Sequence, residues 1–385
     1  MKLRFLIIIL IYLVTNNITA QEYSIGGYIS EMPSIIYNTA DKRSINDNLL
    51  HNRLNFFWYP SNQLTFSLQF RNRFISGDQF GETPDYADAI NRDAGIMDLS
   101  WNLIEGNKYV LNTSIDRLWL QYSLNNLDVK IGRQRINWGQ TFVWNPNDIF
   151  NVYSFFDFDY IERPGSDAIR ISYYPNFTSV FEVAGKFEGD SSVTLAALYR
   201  FNKVGYDIQF LGGLMEGREL VVGTGWTGNM KSVSFTGELT YLHQIENYAD
   251  TNGYLFSGIG LSYMFENSLN VQVDGLYSQF AAKHEDLNIY DFFTGELNVK
   301  KLSISPFTYF AQVSYPFNPL VNASFSGMYF PSKKGFYIGP TFGISLKDNL
   351  ELSVISQNFS MKDENLGTDE RIWIYLGFLR FKLAF

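Results

Sequence analysis

Three histidines, His51, His243 and His284, are the general-base candidates of this chain near neutral pH. Acid–base or nucleophilic catalysis needs such a base beside a nucleophile or an acidic partner. His51 has Asp47 nearby, and His284 has Glu285 and Asp286, which is ordinary loop composition. All three fall near expected extracellular strand ends or loops. No GxSxG, HExxH or phosphate-loop pattern is present. The pattern argues against an enzyme, and only a rim site built from distant loops would escape that argument.

Asp157, Asp159, Glu162 and Asp167 place four hard oxygen ligands within eleven residues, a set that suits Ca²⁺. The spacing is not that of an EF-hand. Carboxylates facing a basic surface elsewhere in the fold are the simpler account. No metal and no cofactor is therefore expected.

The elements that must position these groups alternate with period two. In 63–75, Leu64, Phe66, Leu68, Phe70 and Phe74 share one face, and Thr65, Ser67, Gln69, Arg71 and Arg73 share the other. Leu269, Val271, Val273 and Tyr277 oppose Asn270, Gln272, Asp274 and Ser278 in the same way. About eighteen such segments follow one another, with sixteen as the alternative count. The last runs Trp373, Tyr375, Gly377, Leu379, Phe381, Leu383, Phe385 on its apolar parity. This defines an all-β chain forming a transmembrane, antiparallel, up-and-down β-barrel.

Connections alternate in length. Short turns fall at Pro60-Ser61-Asn62, Asn125-Asn126, Glu266-Asn267 and Lys347-Asp348-Asn349. The intervening connections are long at 33–48, 76–112, 137–166, 244–252, 281–300 and 361–370, and short around Gly189, Gly217 and Lys333-Lys334. Long loops on one side are the extracellular side of a bacterial barrel. Trp58-Tyr59, Tyr173-Tyr174, Tyr263 with Phe265, and Tyr315 with Phe317 would form the periplasmic aromatic girdle.

Residues 1–20 have the form of an export signal: Lys2 and Arg4, an apolar run from Phe5 to Val14, then Thr19-Ala20 before Gln21. Residues 21–385 would be the barrel. Cysteine is absent, so neither a lipid-anchored cysteine nor a disulfide is available. Aromatic content of 17% with a net charge of −9 fits a membrane barrel and argues against nucleic acid as a partner.

Parity also names the lumen. Arg53, Arg71, Arg73, Arg117, Lys130, Arg170, Lys186 and Arg200 point inward from the first half of the wall, with Glu182 as an exception. Asp207, Glu238, Asp274 and Glu351 point inward from the second half. One wall is basic and the other acidic, which sets a transverse field in a narrow pore. Long loops folding inward would pair with part of these charges. Asp148, Asp157 and Asp159 are the loop residues expected at the constriction. Acidic Asp78, Glu82, Asp85, Asp88, Asp93 and Asp98 could serve in the same way from 76–112.

Arg133 and Arg135 are the exception to parity. Strict alternation after Leu127, Val129 and Ile131 sends them toward lipid, where charge is costly. Either a bulge at Gly132 turns them into the pore, or they sit above the hydrocarbon and meet lipopolysaccharide phosphates.

The stretch Gly132-Arg133-Gln134, Trp138-Gly139 and Asn145-Pro146-Asn147-Asp148 resembles an uncharacterised porin-like outer-membrane family of Gram-negative bacteria, of Bacteroidetes type. The sharp match covers about 40 residues, 131–167. The resemblance implies a loop folded into the barrel and a transport role, with no substrate attached. Two functions follow as expectations. One is a channel for passive or mildly selective diffusion of small polar solutes. The other is a plugged barrel acting as surface receptor, adhesin or assembly scaffold. The implied partners are outer-membrane lipid and lipopolysaccharide, and the barrel-assembly machinery through Phe385.

Overall fold

Strands with one apolar face cannot leave backbone groups unpaired in lipid, so the sheet must close on itself. It does. The computed structural model describes residues 22–246, 248–249, 252–284, 298–362 and 371–385. The segment 1–20, with Glu285 and Asp286, lies outside the described residues. The strands are β1 (Glu22–Asn38), β2 (Arg43–Ser61), β3 (Leu64–Gly77), β4 (Ser100–Gly106), β5 (Tyr109–Leu124), β6 (Leu127–Gln134), β7 (Ser166–Asn176), β8 (Ser179–Phe187), β9 (Val193–Lys203) and β10 (Tyr206–Met215). They continue as β11 (Glu219–Met230), β12 (Val233–Gln244), β13 (Tyr254–Met264), β14 (Asn270–Ser278), β15 (Phe307–Asn318), β16 (Val321–Phe330), β17 (Gly335–Lys347), β18 (Leu350–Lys362) and β19 (Arg371–Ala384).

All pairings are antiparallel; they join chain neighbours except that β3 pairs with β5, and β1 pairs with β19 to close the ring. The barrel proper has 18 strands. The remaining strand, β4, pairs only with the upper part of β5 and belongs to a hairpin. Phe385 adds to the seam: its N–H donates to Gly27 O at 3.0 Å, and Gly27 N donates back at 2.9 Å.

The short turns lie where alternation places them. The connection expected at 33–48 is different: β1 and β2 continue to Asn38 and from Arg43, leaving only a four-residue turn. Ser34 and Asn46, polar residues that suggest a loop, lie inside strands because the ladder pairs them, Ser34 with Asp47 and Asn46 with Ile35. Likewise 76–112 is not all loop. It holds two helical turns, α1 (Gln79–Glu82) and α2 (Tyr86–Asn91), and then β4.

Segment 135–165, between β6 and β7, leaves the wall and fills the interior. Ile136, Trp138, Val143, Trp144, Ile149, Phe150 and Phe156 are buried in one cluster with inward residues such as Ala196, Leu211, Leu242, Phe256, Phe310 and Phe359. The barrel therefore has a hydrophobic core, contributed by its own loop.

Gly132 marks the departure. Its φ is +113°, and a Cβ there would run into the Leu118 carbonyl. Gly132→Val should cost about 1–3 kcal/mol of barrel stability through backbone strain, read as a lower temperature for loss of the compact band on gels.

Candidate functional site

The interior is organised by charge. The later half of segment 135–165 is acidic and lies against the basic arc of β2, β3 and β5. His51, fully buried on β2, meets Asp159 Oδ2 through Nδ1 at 2.9 Å. Arg71 Nε donates to the other ring nitrogen at 3.4 Å, so Nδ1 carries the proton toward Asp159. The Arg71 guanidinium also stacks on the Tyr160 ring at 3.7 Å. Arg53 Nη1 donates to Asp116 Oδ2 at 2.6 Å, and the same oxygen accepts from Tyr160 Oη at 2.5 Å. Glu162 lies 3.6 Å from Arg53 and accepts from Tyr28 Oη at 3.2 Å. Arg117 Nη2 donates to the carbonyls of Glu162 and Arg163 at 2.6 and 2.7 Å. Burial alone would raise the Asp159 carboxyl, but the His51 hydrogen bond and the Arg71 charge hold it below the usual carboxylate range.

The earlier half of the segment meets the acidic arc with backbone donors instead of cations. Glu238 of β12 is fully buried. Its carboxylate accepts from the backbone amides of Gln140, Thr141 and Asn147, the last two at 3.0 and 2.8 Å. Three such donors can hold a buried carboxylate without a cation. Asn147 also bonds Thr224 O and Thr240 Oγ1, at 3.0 and 2.8 Å. Trp138 Nε1 donates to Glu182 Oε1 at 2.6 Å, and Gln209 Nε2 donates to the Trp138 carbonyl at 2.7 Å. On the side facing β17 and β18, Gln357 Nε2 donates to Phe156 O at 2.8 Å, and Phe156 packs against Tyr337 and Phe359. The segment is thus tied to opposite sides of the wall.

The residues expected to line the lumen take several roles. Arg53, Arg71, Arg117 and Glu238 hold the segment, as above. Arg73 bonds Ile90 O and Asn112 Oδ1, at 2.9 and 2.8 Å, under α2. Arg170 lies 3.9 Å from Glu182. Asp207 accepts from Asn202 near the short-turn end, and Asp274 accepts from Gln272, both at 2.8 to 2.9 Å. Asp148 is fully buried, accepts from Trp138 N at 3.4 Å, and leaves Oδ2 without a partner. Burial pushes its carboxyl well above the ordinary value.

Arg133 takes neither of the two expected routes. Pairing runs without a shift from Trp119–Gly132 to Leu118–Arg133, so Arg133 keeps the outward parity of Ile131. Yet it is buried. Asp167, its cross-strand partner, accepts two of its bonds at 2.7 and 2.9 Å, and Asp93 a third at 2.5 Å. Segment 93–99 crosses above β6 and β7, from Leu99, whose carbonyl accepts from Ile115 N of β5, to Ala94, whose carbonyl accepts from Gly189 N, and covers the pair. Arg135 does go inside, its guanidinium 5.6 Å from the Tyr153 ring. The four carboxylates considered as a cation site part company: Asp159 goes to His51, Glu162 to Arg53, Asp167 to Arg133, and Asp157 accepts from the Tyr160 amide at 3.3 Å. Among the described residues, no group of three or more His, Asp or Glu is placed to hold a metal ion.

Asp116 escaped the parity reading. A bulge opposite Gln69 and Phe70 lets both Asp116 and Arg117 face inward. Two adjacent charges in an otherwise alternating strand were its only sequence signal. His51, expected near an extracellular end, is instead an inward residue at the centre of the basic arc.

No family model matches the sequence, and no curated protein is similar to it. Solved outer-membrane porins are similar to it in fold. Acinetobacter baumannii OccAB4 superposes with a TM-score of 0.57 over 96% of this chain and 100% of its own, at 8% identity. Pseudomonas aeruginosa OccK2 (OpdF) gives 0.56 over 95% and 100%, at 8% identity. OccD1 (OprD) gives 0.55 over 94% and 96%, at 7% identity. The class is a closed 18-stranded β-barrel with the fold of outer-membrane porins.

Two substitutions test the interior. Glu238→Ala strands the amides of Gln140 and Asn147 at about 1–3 kcal/mol each, while Thr141 N keeps Asn145 Oδ1, and should lower heat resistance and make recorded conductance larger and noisier. Asp148→Asn keeps the acceptor for Trp138 and removes a carboxyl whose pKa is raised by folding. A raised folded pKa means the native state binds the extra proton, so wild-type stability falls as pH rises above the ordinary carboxylate range. The variant should be more stable than the wild type near neutrality, and the advantage should vanish in acid, as read from urea midpoints across pH.

Proposed function

We propose that the chain is an outer-membrane channel for passive, mildly selective diffusion of small polar solutes. The observation that carries this reading is segment 135–165, folded into the lumen of a closed barrel and fixed to opposite walls by charge. Such a segment narrows a passage that 18 strands would otherwise leave wide. Beside it lies a cavity of about 300 Å³, lined by Gln140, Thr141, Ser234, Thr236, Ser262 and Gln272 together with Phe142, Gly260 and Leu261. Hydroxyls and amides there suit small hydrated solutes. Arg71, Arg170, Asp207 and Asp274 contribute the field across the lumen.

The same reading takes residues 1–20 as a removed export signal and 21–385 as the barrel. It assigns the chain to the porin-like Bacteroidetes-type family whose motif spans Gly132 to Asp148, and treats the barrel-assembly machinery as the reader of Phe385. Lipopolysaccharide is the outer-leaflet neighbour. The chain is taken not to be an enzyme.

A second reading is favoured by one observation: the loop's apolar residues and Val299, Leu302 and Ile304 of 279–306 form a continuous packed interior. A plugged receptor or scaffold would look like this.

Planar-bilayer recording decides between them. The channel reading expects steady open steps, with ion selectivity that moves toward cations in Arg71→Ala and more strongly at low salt. A silent intact barrel that conducts once 136–164 is shortened would support the plug and sink the channel.

A further inference from the structure

The outer face of β13–β17 carries a cleft of about 730 Å³. Its floor is Gly275 of β14, Ala311 of β15 and Gly327 of β16. Ala311 pairs with Gly327, and Gly275 lies two residues further up, opposite Tyr309. Ile259 and Val273 bound the cleft on one side, and Phe336 and Ile338 on the other. Its outward-facing side chains are all aliphatic or aromatic.

The space is left open where the wall elsewhere closes it. Two other lipid-facing glycines, Gly228 and Gly237, are covered by the rings of Tyr206 and Trp226. A Cβ at Gly275 would meet nothing within 4 Å, and one at Gly327 only the Tyr337 carbonyl at 3.5 Å. Neither glycine has a positive φ. A glycine weakens a strand and often marks close approach of a ligand. Here neither backbone conformation nor crowding calls for one. Strand β16 runs toward the end that carries the long connections, and the Gly327–Ile338 pair lies three pairs below its last, Phe330–Gly335. At about 3.4 Å per residue the floor is roughly 10 Å below the turn, within the outer-leaflet half of the wall.

The turn above the cleft is basic. Lys334 is exposed at its tip, and Arg371, the first residue of β19, donates to the Lys334 carbonyl at 2.9 Å. The Arg371 guanidinium lies 5.1 Å from the Phe336 ring, and that ring stacks on Tyr329 at 4.9 Å. A guanidinium and two rings therefore run without a break from the turn down into the cleft. We propose that the cleft holds one acyl chain of a lipid A molecule, with a phosphate of the same molecule on Lys334 and Arg371. The guanidinium fork and the ammonium both suit phosphate. A chain gains no hydrophobic energy by leaving the bilayer for the cleft, since both are apolar. Packing against the rings and the two cations supply the preference. The inference rests on the reading of lipopolysaccharide as the outer-leaflet neighbour and gives it a site; it is independent of whether the lumen conducts.

The folded protein in mild detergent is titrated with lipid A and followed by native mass spectrometry, after a heat-shift gel confirms that each variant is folded. Gly275→Leu with Gly327→Leu fills the cleft without a clash. Val222→Leu places the same side chain on the outer face of β11 as a control. The expected result is a single lipid A adduct on the wild type and on Val222→Leu, weaker by about tenfold or more in the filled variant. Lys334→Gln with Arg371→Gln should weaken the lipid A adduct and leave that of dephosphorylated lipid A unchanged. Equal adducts on the wild type and the filled variant overturn the cleft as the site. Equal binding of lipid A and its dephosphorylated form to the wild type overturns the phosphate contact. Equal binding of phosphatidylglycerol overturns lipid A as the occupant. Each variant is also tracked in outer-membrane fractions: a chain absent from them sinks the neighbour reading itself, whereas a resident wild-type chain without an adduct sinks the cleft alone.

Discussion

The interior depends on one electrostatic constraint: a wall that is basic on β2, β3 and β5 and acidic on β12, facing a loop whose two halves answer it differently. The Asp159 and Glu162 carboxylates go to His51 and Arg53, while amides 140–147 go to Glu238. Reversing the loop would set carboxylates against Glu238 and leave arginines buried without partners. Either error costs more than a surface ion pair contributes, because these groups are buried. The charge split therefore gives the loop its orientation, and apolar packing gives it adhesion.

Sending 31 residues inward from between β6 and β7 has a consequence for the wall. β6 stops at Gln134, and the upper half of β5 loses a neighbour. Hairpin strand β4 pairs with that edge, and 93–99 spans the tops of β6 and β7. Arg133 is the clasp: it is bidentate to Asp167 and reaches Asp93 on the crossing segment. The Asp93 carboxyl, which burial would raise, is drawn down by that bond. A charge that alternation directs outward is thereby kept from lipid by covering it, not by turning it.

Much of this was legible from residue order. Period two sets which side chains face out, and closure follows from backbone pairing, so strand number and the inward arginines were readable. Turn positions such as Asn125-Asn126 were readable because a short turn needs residues that tolerate it. The partners of the inward charges were not, because they depend on how 135–165 folds in three dimensions. His51 looks like loop composition beside Asp47, although its partner is 108 residues away. Asp116 was hidden by a bulge, which adds one residue and breaks the count. Arg133 was hidden because its cover comes from another loop.

The apolar interior was also hidden, for a reason that bears on transport. Ala196, Leu198, Leu211, Leu242 and Phe256 are inward residues on strands whose outward residues are apolar too, so these strands lose their contrast. Such doubly apolar strands are ordinary in a buried sheet. Here they mark where the loop docks. Solute cannot follow that surface, since it is packed against Trp138, Ile149 and Phe150, and its polar groups Gln209, Glu238 and Thr240 are already bonded to the loop. Polar side chains remain on the inner faces of β12, β13 and β14, where Ser234, Thr236, Ser262 and Gln272 adjoin the 300 Å³ cavity. A hydrated solute keeps its hydrogen bonds only along that side. The docking of the loop against one apolar surface therefore also selects the side on which a passage could run.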